Sequence, residues 1–123
     1  MTDVWIIDDE ESIRTICSSA LEDLFNIDTF ANASAALLEL NSTQPDLIIT
    51  DIKMPGMSGL EFLEKVSEKY PEIPTIIITA HANIDNALSA YKGGAFEYLT
   101  KPFDIGEMRQ LAIKATKNKK PED

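Results

Sequence analysis

The sequence predicts an α/β fold, a doubly wound parallel sheet in one domain, and three observations predict it. Short apolar, β-branched runs at residues 4–7, 47–49 and 75–79 have the continuous hydrophobicity of strands covered on both faces. Between them, apolar residues recur every three to four positions, the period of helices packed on one side. The 123 residues, 44% of them hydrophobic, suffice for a single core, and no internal repeat divides them.

Residues 4–7 form the first expected strand, which ends abruptly in Asp8, Asp9, Glu10 and Glu11. Ile13, Ile16, Cys17, Ala20, Leu21 and Leu24 stripe a first helix, and the acids before it suit the positive end of its dipole. Residues 27–30 read as a weaker second strand. Asn32 or Ser34 caps a second helix carrying Ala36, Leu37 and Leu40, and residues 41–45 are a turn-rich connection. The third strand begins at Leu47 and ends at Asp51, before a loop broken by Pro55, Gly56 and Gly59. Ser58 and Glu61 have capping-box spacing for a third helix, striped by Leu60, Leu63, Val66 and Tyr70.

Pro71 and Pro74 frame the path to a fourth strand at 75–79. Ile84, Leu88 and Tyr91 share one face of a fourth helix, which Gly93 and Gly94 close through a left-handed cap. Residues 95–100 give a fifth strand, followed by Lys101 and Pro102. Asp104 and Glu107 have the spacing of a capping box for the last helix, striped by Met108, Leu111, Ala112 and Ala115. Gly106 in its first turn weakens that start by about 1 kcal/mol relative to Ala. The expected domain is 1–117, with 118–123 a solvated tail or the start of a linker to an output domain. Strand order cannot be read from periodicity.

The formal net charge of -10 argues against binding of nucleic acid or an anionic membrane by this domain, and favours a cationic partner or a metal ion. Cys17 is the only cysteine, so no intrachain disulfide forms and a reducing, cytoplasmic setting fits. Its place on a helical stripe makes it a core residue rather than a reactive thiol. No apolar run approaches the roughly 20 residues of a membrane span, and no basic region precedes the first apolar residues as in a signal peptide.

On this frame Asp8 and Asp9 follow strand one, Asp51 ends strand three, Thr79 ends strand four and Lys101 follows strand five. All lie at carboxyl ends, where open α/β sheets place their chemistry, and strand ends need no carboxylates for stability. Each close pair of acids costs on the order of 1 kcal/mol in water-like surroundings and about 4 kcal/mol at an effective dielectric of 20. A hard divalent cation relieves that repulsion, and a partly hydrated oxygen site suits Mg²⁺. Helix capping and solvation would explain Asp8 and Asp9 alone, but not their company. Asp51, beside a metal and a lysine, can act as a nucleophile toward phosphorus and form an acyl phosphate. Thr79 offers a hydroxyl to a phosphoryl oxygen, where simple strand propensity is the plainer reading. The Lys101–Pro102 bond, if cis, aims the Lys101 side chain inward. His81, the only histidine, is a solvated loop residue or an influence on attack by water. Tyr98 is either strand packing or a ring whose exposure changes with the site. Met54 and Met57 read as partly exposed loop residues, with docking of a partner as the sharper alternative.

Asp8 and Asp9, Asp51 with Lys53, Met54, Pro55 and Gly56, Thr79 with Ala80, Tyr98, and Lys101 with Pro102 and Phe103 together resemble the receiver domain of two-component response regulators. The stretches 79–91, 94–96 and 101–104 resemble NtrC-type transcriptional activators in particular. The resemblance implies a flavodoxin-like (CheY-like) sheet of order 2-1-3-4-5 with five helices. It implies Asp51 as acceptor of a phosphoryl group from a histidine kinase. Asp9, Asp51 and the backbone carbonyl of Lys53 would hold Mg²⁺, with Asp8 acting through water. Thr79 and Lys101 would bind the phosphoryl group, and Thr79 with Tyr98 would couple it to the fourth helix, fifth strand and fifth helix. The side chains of Lys53 and His81 would tune the phosphoryl lifetime. An output domain or downstream protein, and a phosphorylation-dependent homodimer through the fourth and fifth helices, follow by the same analogy.

Two departures stand out: Ser58 replaces a commonly acidic residue yet still caps, and Trp5 is bulky for strand one. A stand-alone receiver or phosphorelay intermediate is the alternative within the family. A metal-dependent phosphohydrolase would carry a second acid two residues beyond its nucleophile, where this chain has Lys53. A flavin-binding module would need a Gly/Ser/Thr-rich phosphate loop after strand one, where this chain has acids.

Overall fold

The computed structural model describes residues 2–80 and 83–117. Strands and helices alternate: β1 (Asp3–Ile7), α1 (Glu11–Leu21), β2 (Asn26–Phe30), α2 (Ala33–Glu39), β3 (Leu47–Asp51), α3 (Gly59–Lys69), β4 (Thr75–Thr79), α4 (Ile84–Lys92), β5 (Glu97–Thr100) and α5 (Ile105–Lys117). The strands form one parallel sheet of order β2-β1-β3-β4-β5, with Trp5 opposite Ile48 and Asp51 opposite Ile78. The order reverses between β1 and β3, so the crevice at the carboxyl ends of those strands is the topological switch point.

Alternate residues of each strand feed opposite layers. Val4, Ile6, Leu47, Ile49, Ile76, Ile78 and Leu99 pack with Cys17 and Leu21 of α1 and Met108 and Ala112 of α5. On the other face Trp5, Ile7 and Ile48 meet Ala36 of α2 and Phe62 and Val66 of α3. Ile77 joins Leu63 and Ala90 beneath α4. Cys17 is buried as its stripe predicts, and burial pushes its thiol up to about 12, so it stays protonated. Trp5 fits its strand by tilting against Phe30, with ring centroids 4.7 Å apart. Among the described residues no helix is long and apolar enough to cross a membrane.

Helix starts follow the capping residues. Asn32 Oδ1 accepts the Ala35 amide at 2.8 Å, which selects Asn32 over Ser34. Ser58 Oγ accepts the Glu61 amide at 3.1 Å, and Asp104 Oδ1 accepts the Glu107 amide at 3.0 Å. Ser58→Ala should therefore cost about 1 kcal/mol, read as a lower urea midpoint at unchanged slope.

Three expectations need correction. The fifth strand starts at Glu97, not 95, because Ala95 still belongs to the cap of α4. Its amide reaches back to the Ala90 carbonyl at 2.9 Å, Gly94 N–H donates to Tyr91 O at 3.1 Å, and Gly94 takes φ +105°. The face of α4 carrying Ile84, Leu88 and Tyr91 is not the packed one: these side chains are 77%, 53% and 48% exposed, while the small Ala90 faces the sheet. Met54 is buried rather than partly exposed, because it packs into the same cluster as Phe62.

Candidate functional site

The carboxyl ends of β1, β3 and β5 bring one lysine among three carboxylates. Asp8 and Asp51 are almost wholly buried and Asp9 is exposed, with ligand oxygens of all three within 4.8 Å of one another. Lys101 Nζ donates to Asp8 Oδ2 at 3.0 Å and to Asp51 Oδ2 at 3.2 Å. The backbone holds this lysine in place. Lys101 N–H donates to Thr79 O at 2.8 Å, which continues the β4–β5 ladder one residue past Thr100, and the Lys101–Pro102 peptide is cis.

The two buried acids are also fixed by main chain. Asp8 Oδ1 accepts the Glu10 amide at 2.9 Å, and Asp51 Oδ1 accepts the Ile52 amide at 2.6 Å. Burial pushes the Asp8 carboxyl above its ordinary range, against the opposing pull of the Glu10 amide and Lys101. Burial alone would lower the Lys101 ammonium, but its hydrogen bond to Asp8 and the charges of Asp8 and Asp51 raise it above its usual value. Three carboxylates against one ammonium leave an excess of two negative charges. An all-oxygen donor set with that excess fits a hard divalent cation.

Thr79 is buried at the end of β4, directly opposite Thr100. Tyr98 lies three residues before Lys101 on the α4 side of the sheet, half-buried, opposite Ile77. Lys53 is exposed in the loop two residues past Asp51. His81 and residues 118–123 lie outside the described residues.

Sequence reasoning missed several supports. Arg14 Nη1 donates to the Asp8 carbonyl at 2.7 Å, steadying the acidic loop from the first turn of α1. Glu10 Oε1 lies 3.5 Å from Lys101 Nζ at the mouth of the site. Gly59 brings α3 against the end of β3, its amide donating to Ile52 O at 2.7 Å. Arg14 was readable only as a charge one helical turn beyond the acids; the close approach at Gly59 had no signal beyond a glycine at a helix start.

The family model for the response regulator receiver domain matches residues 4–113. The DNA-binding transcriptional regulator NtrC of Salmonella typhimurium is 45% identical over 113 residues, covering 91% of this chain and 24% of that protein. The response regulator protein PilR of Pseudomonas aeruginosa is 37% identical over 119 residues, covering 95% of this chain and 26% of that one. The chain thus spans about a quarter of the length of these relatives. In three dimensions it superposes on a CheY-like response regulator receiver domain protein from Methanospirillum hungatei with a TM-score of 0.92, at 25% identity, over 97% of this chain and 96% of that one.

Proposed function

This chain belongs to the response regulator receiver domain family, a family of regulatory domains rather than enzymes, and from that premise we propose that Asp51 is its phosphoacceptor. The observation that supports this most strongly is the position of Lys101 Nζ, shared between Asp8 and Asp51 at 3.0 and 3.2 Å beside a third carboxylate. An Asp51 oxygen attacks the phosphorus of a phosphohistidine on a histidine kinase. The new P–O bond forms as the P–N bond breaks, and the electron pair leaves with the imidazole. Lys101 turns from neutralising the resting carboxylates to neutralising the transferred group, and the Thr79 hydroxyl hydrogen-bonds one of its oxygens.

Asp9, Asp51 and the Lys53 carbonyl would hold Mg²⁺, with Asp8 acting through water. When bound, the ion supplies charge neutralisation for both the acid cluster and the moving phosphoryl group. The chain promotes only its own phosphorylation and dephosphorylation; the side chains of Lys53 and His81 are assigned the tuning of phosphoryl lifetime. Thr79 and Tyr98 pass the change to α4, β5 and α5. The switch needs about 5.5 kcal/mol of differential stabilisation to go from 1:99 to 99:1, within reach of two or three new charge-assisted hydrogen bonds.

The names of the relatives support control of transcription through an output domain, with 1–117 as the receiver and 118–123 leading toward that domain. The exposed apolar face of α4 supports a phosphorylation-dependent dimer there. The deciding experiment is intact-mass measurement with acetyl phosphate. One phosphoryl group is expected with Mg²⁺ and none with a chelator, and Mg²⁺ alone should raise the melting temperature. An unchanged mass with Mg²⁺ present would falsify the reading.

A further inference from the structure

The loop between β1 and α1 holds every polar atom of its first residue. The Asp8 N–H donates to Phe30 O at 3.1 Å, Oδ1 accepts the Glu10 amide and Oδ2 accepts Lys101 Nζ. The Asp8 carbonyl accepts Arg14 Nη1 at 2.7 Å, and the Arg14 amide donates to Glu10 O at 3.2 Å. Asp9 is held differently. It is exposed, and among the described residues no hydrogen bond fixes its carboxylate, yet one of its oxygens lies within 4.8 Å of oxygens of Asp8 and Asp51.

The backbone puts it there. The Asp8 carbonyl and the Asp9 N–H belong to one rigid peptide plane, so whatever fixes that carbonyl also fixes the direction in which Asp9 leaves the loop. Among the described residues, Arg14 is the side chain that grips it. Helix stability does not call for this arginine. It stands near the N-terminus of α1, the positive end of the dipole, where a cation is mildly unfavourable. Its charge also lies close to a site suited to a cation, which by itself weakens metal binding. What it contributes is direction, through a short, charge-assisted hydrogen bond.

We propose that Arg14 is a positioning residue for the divalent cation: by fixing the Asp8–Asp9 peptide it presets Asp9 for the metal, despite the repulsion between like charges. This rests on the reading of the acid cluster as a Mg²⁺ site, and its test needs no phosphodonor.

The test is isothermal titration calorimetry of the full chain with Mg²⁺ at near-physiological salt. Arg14→Met removes both donor and charge, and is expected to raise the Mg²⁺ dissociation constant about tenfold, the scale on which groups that orient metal ligands act. Charge repulsion alone predicts the opposite sign. A dissociation constant equal to or below that of wild type therefore overturns the proposal. Arg14→Lys keeps the charge and a donor, and should recover part of the loss. The calorimetric stoichiometry counts folded molecules, so a partly unfolded variant is still readable. With acetyl phosphate, the Mg²⁺ concentration for half-maximal labelling should rise by the same factor while the rate at saturating Mg²⁺ is kept. A merely structural arginine would lower the metal-free melting temperature and leave the dissociation constant at its wild-type value, which also overturns the proposal. Wild type that binds Mg²⁺ but gains no phosphoryl mass sinks the phosphoacceptor reading instead, and Arg14 is then judged on the dissociation constants. Wild type that binds no Mg²⁺ sinks both the metal reading and the proposal.

Discussion

Given Mg²⁺ and acetyl phosphate, Asp51→Asn is expected to keep its unmodified mass over a time in which the parent chain is fully modified. The carboxamide has no anionic oxygen to attack phosphorus and contributes no charge to a cation. The loss is chemical rather than structural. Lys101 keeps Asp8 as a partner at 3.0 Å, and the side-chain carbonyl can still accept the Ile52 amide that Oδ1 accepts at 2.6 Å. Removing the Asp51 charge gives up its 3.2 Å ion pair with Lys101 but relieves its repulsion with both Asp8 and Asp9. Each close pair amounts to about 4 kcal/mol at an effective dielectric of 20 before relaxation, so two repulsions are set against one attraction. The variant should therefore melt no lower than the parent when Mg²⁺ is absent. Phosphoryl mass on the variant would show that another side chain is the acceptor.

Gly59→Ala should do the reverse and damage fold and chemistry together. A Cβ at position 59 would lie 1.8 Å from the Asp51 carbonyl oxygen, 2.8 Å from its carbonyl carbon and 2.9 Å from Ile52 Cα. All three are backbone atoms at the end of the strand that presents the proposed nucleophile, so no side-chain rotation can make room. Either α3 lifts from β3 and stretches the 2.7 Å bond from the Gly59 amide to Ile52 O, or Asp51 moves. Overpacking of this kind costs about 3 kcal/mol, several times the loss of the neighbouring Ser58 cap. Urea unfolding should show that gap, and acetyl phosphate labelling of the variant should slow in parallel. A midpoint equal to that of Ser58→Ala would mean the two segments are not in contact as described.

The fold was legible because its signals are local. Ile76, Ile77 and Ile78 must be covered on both sides, Asn32, Ser58 and Asp104 sit where a helix needs an acceptor, and Gly94 sits where one needs positive φ. The meeting of Asp8, Asp51 and Lys101 was legible too, since parallel strands put all their carboxyl ends on one edge. What failed depended on which neighbour arrives. Ile84, Leu88 and Tyr91 mark an apolar face as clearly as any core stripe, yet periodicity cannot say whether another layer covers it, and here the small Ala90 makes the contact. Met54 looked like a loop residue because its burial depends on Phe62, eight positions later, coming back over it. The hydrogen bond from the Tyr91 hydroxyl to Glu97 Oε1 depends on side-chain reach across a turn, which composition does not encode.

The tilted contact between Trp5 and Phe30 has a practical use. Trp5 is the chain's sole indole, and it is almost wholly shielded from solvent. Its emission therefore reports enclosure by apolar neighbours and reddens only when water enters the layer beneath α2 and α3. The molecule carries its own optical gauge of unfolding, set apart from the acid cluster at the carboxyl ends of the strands.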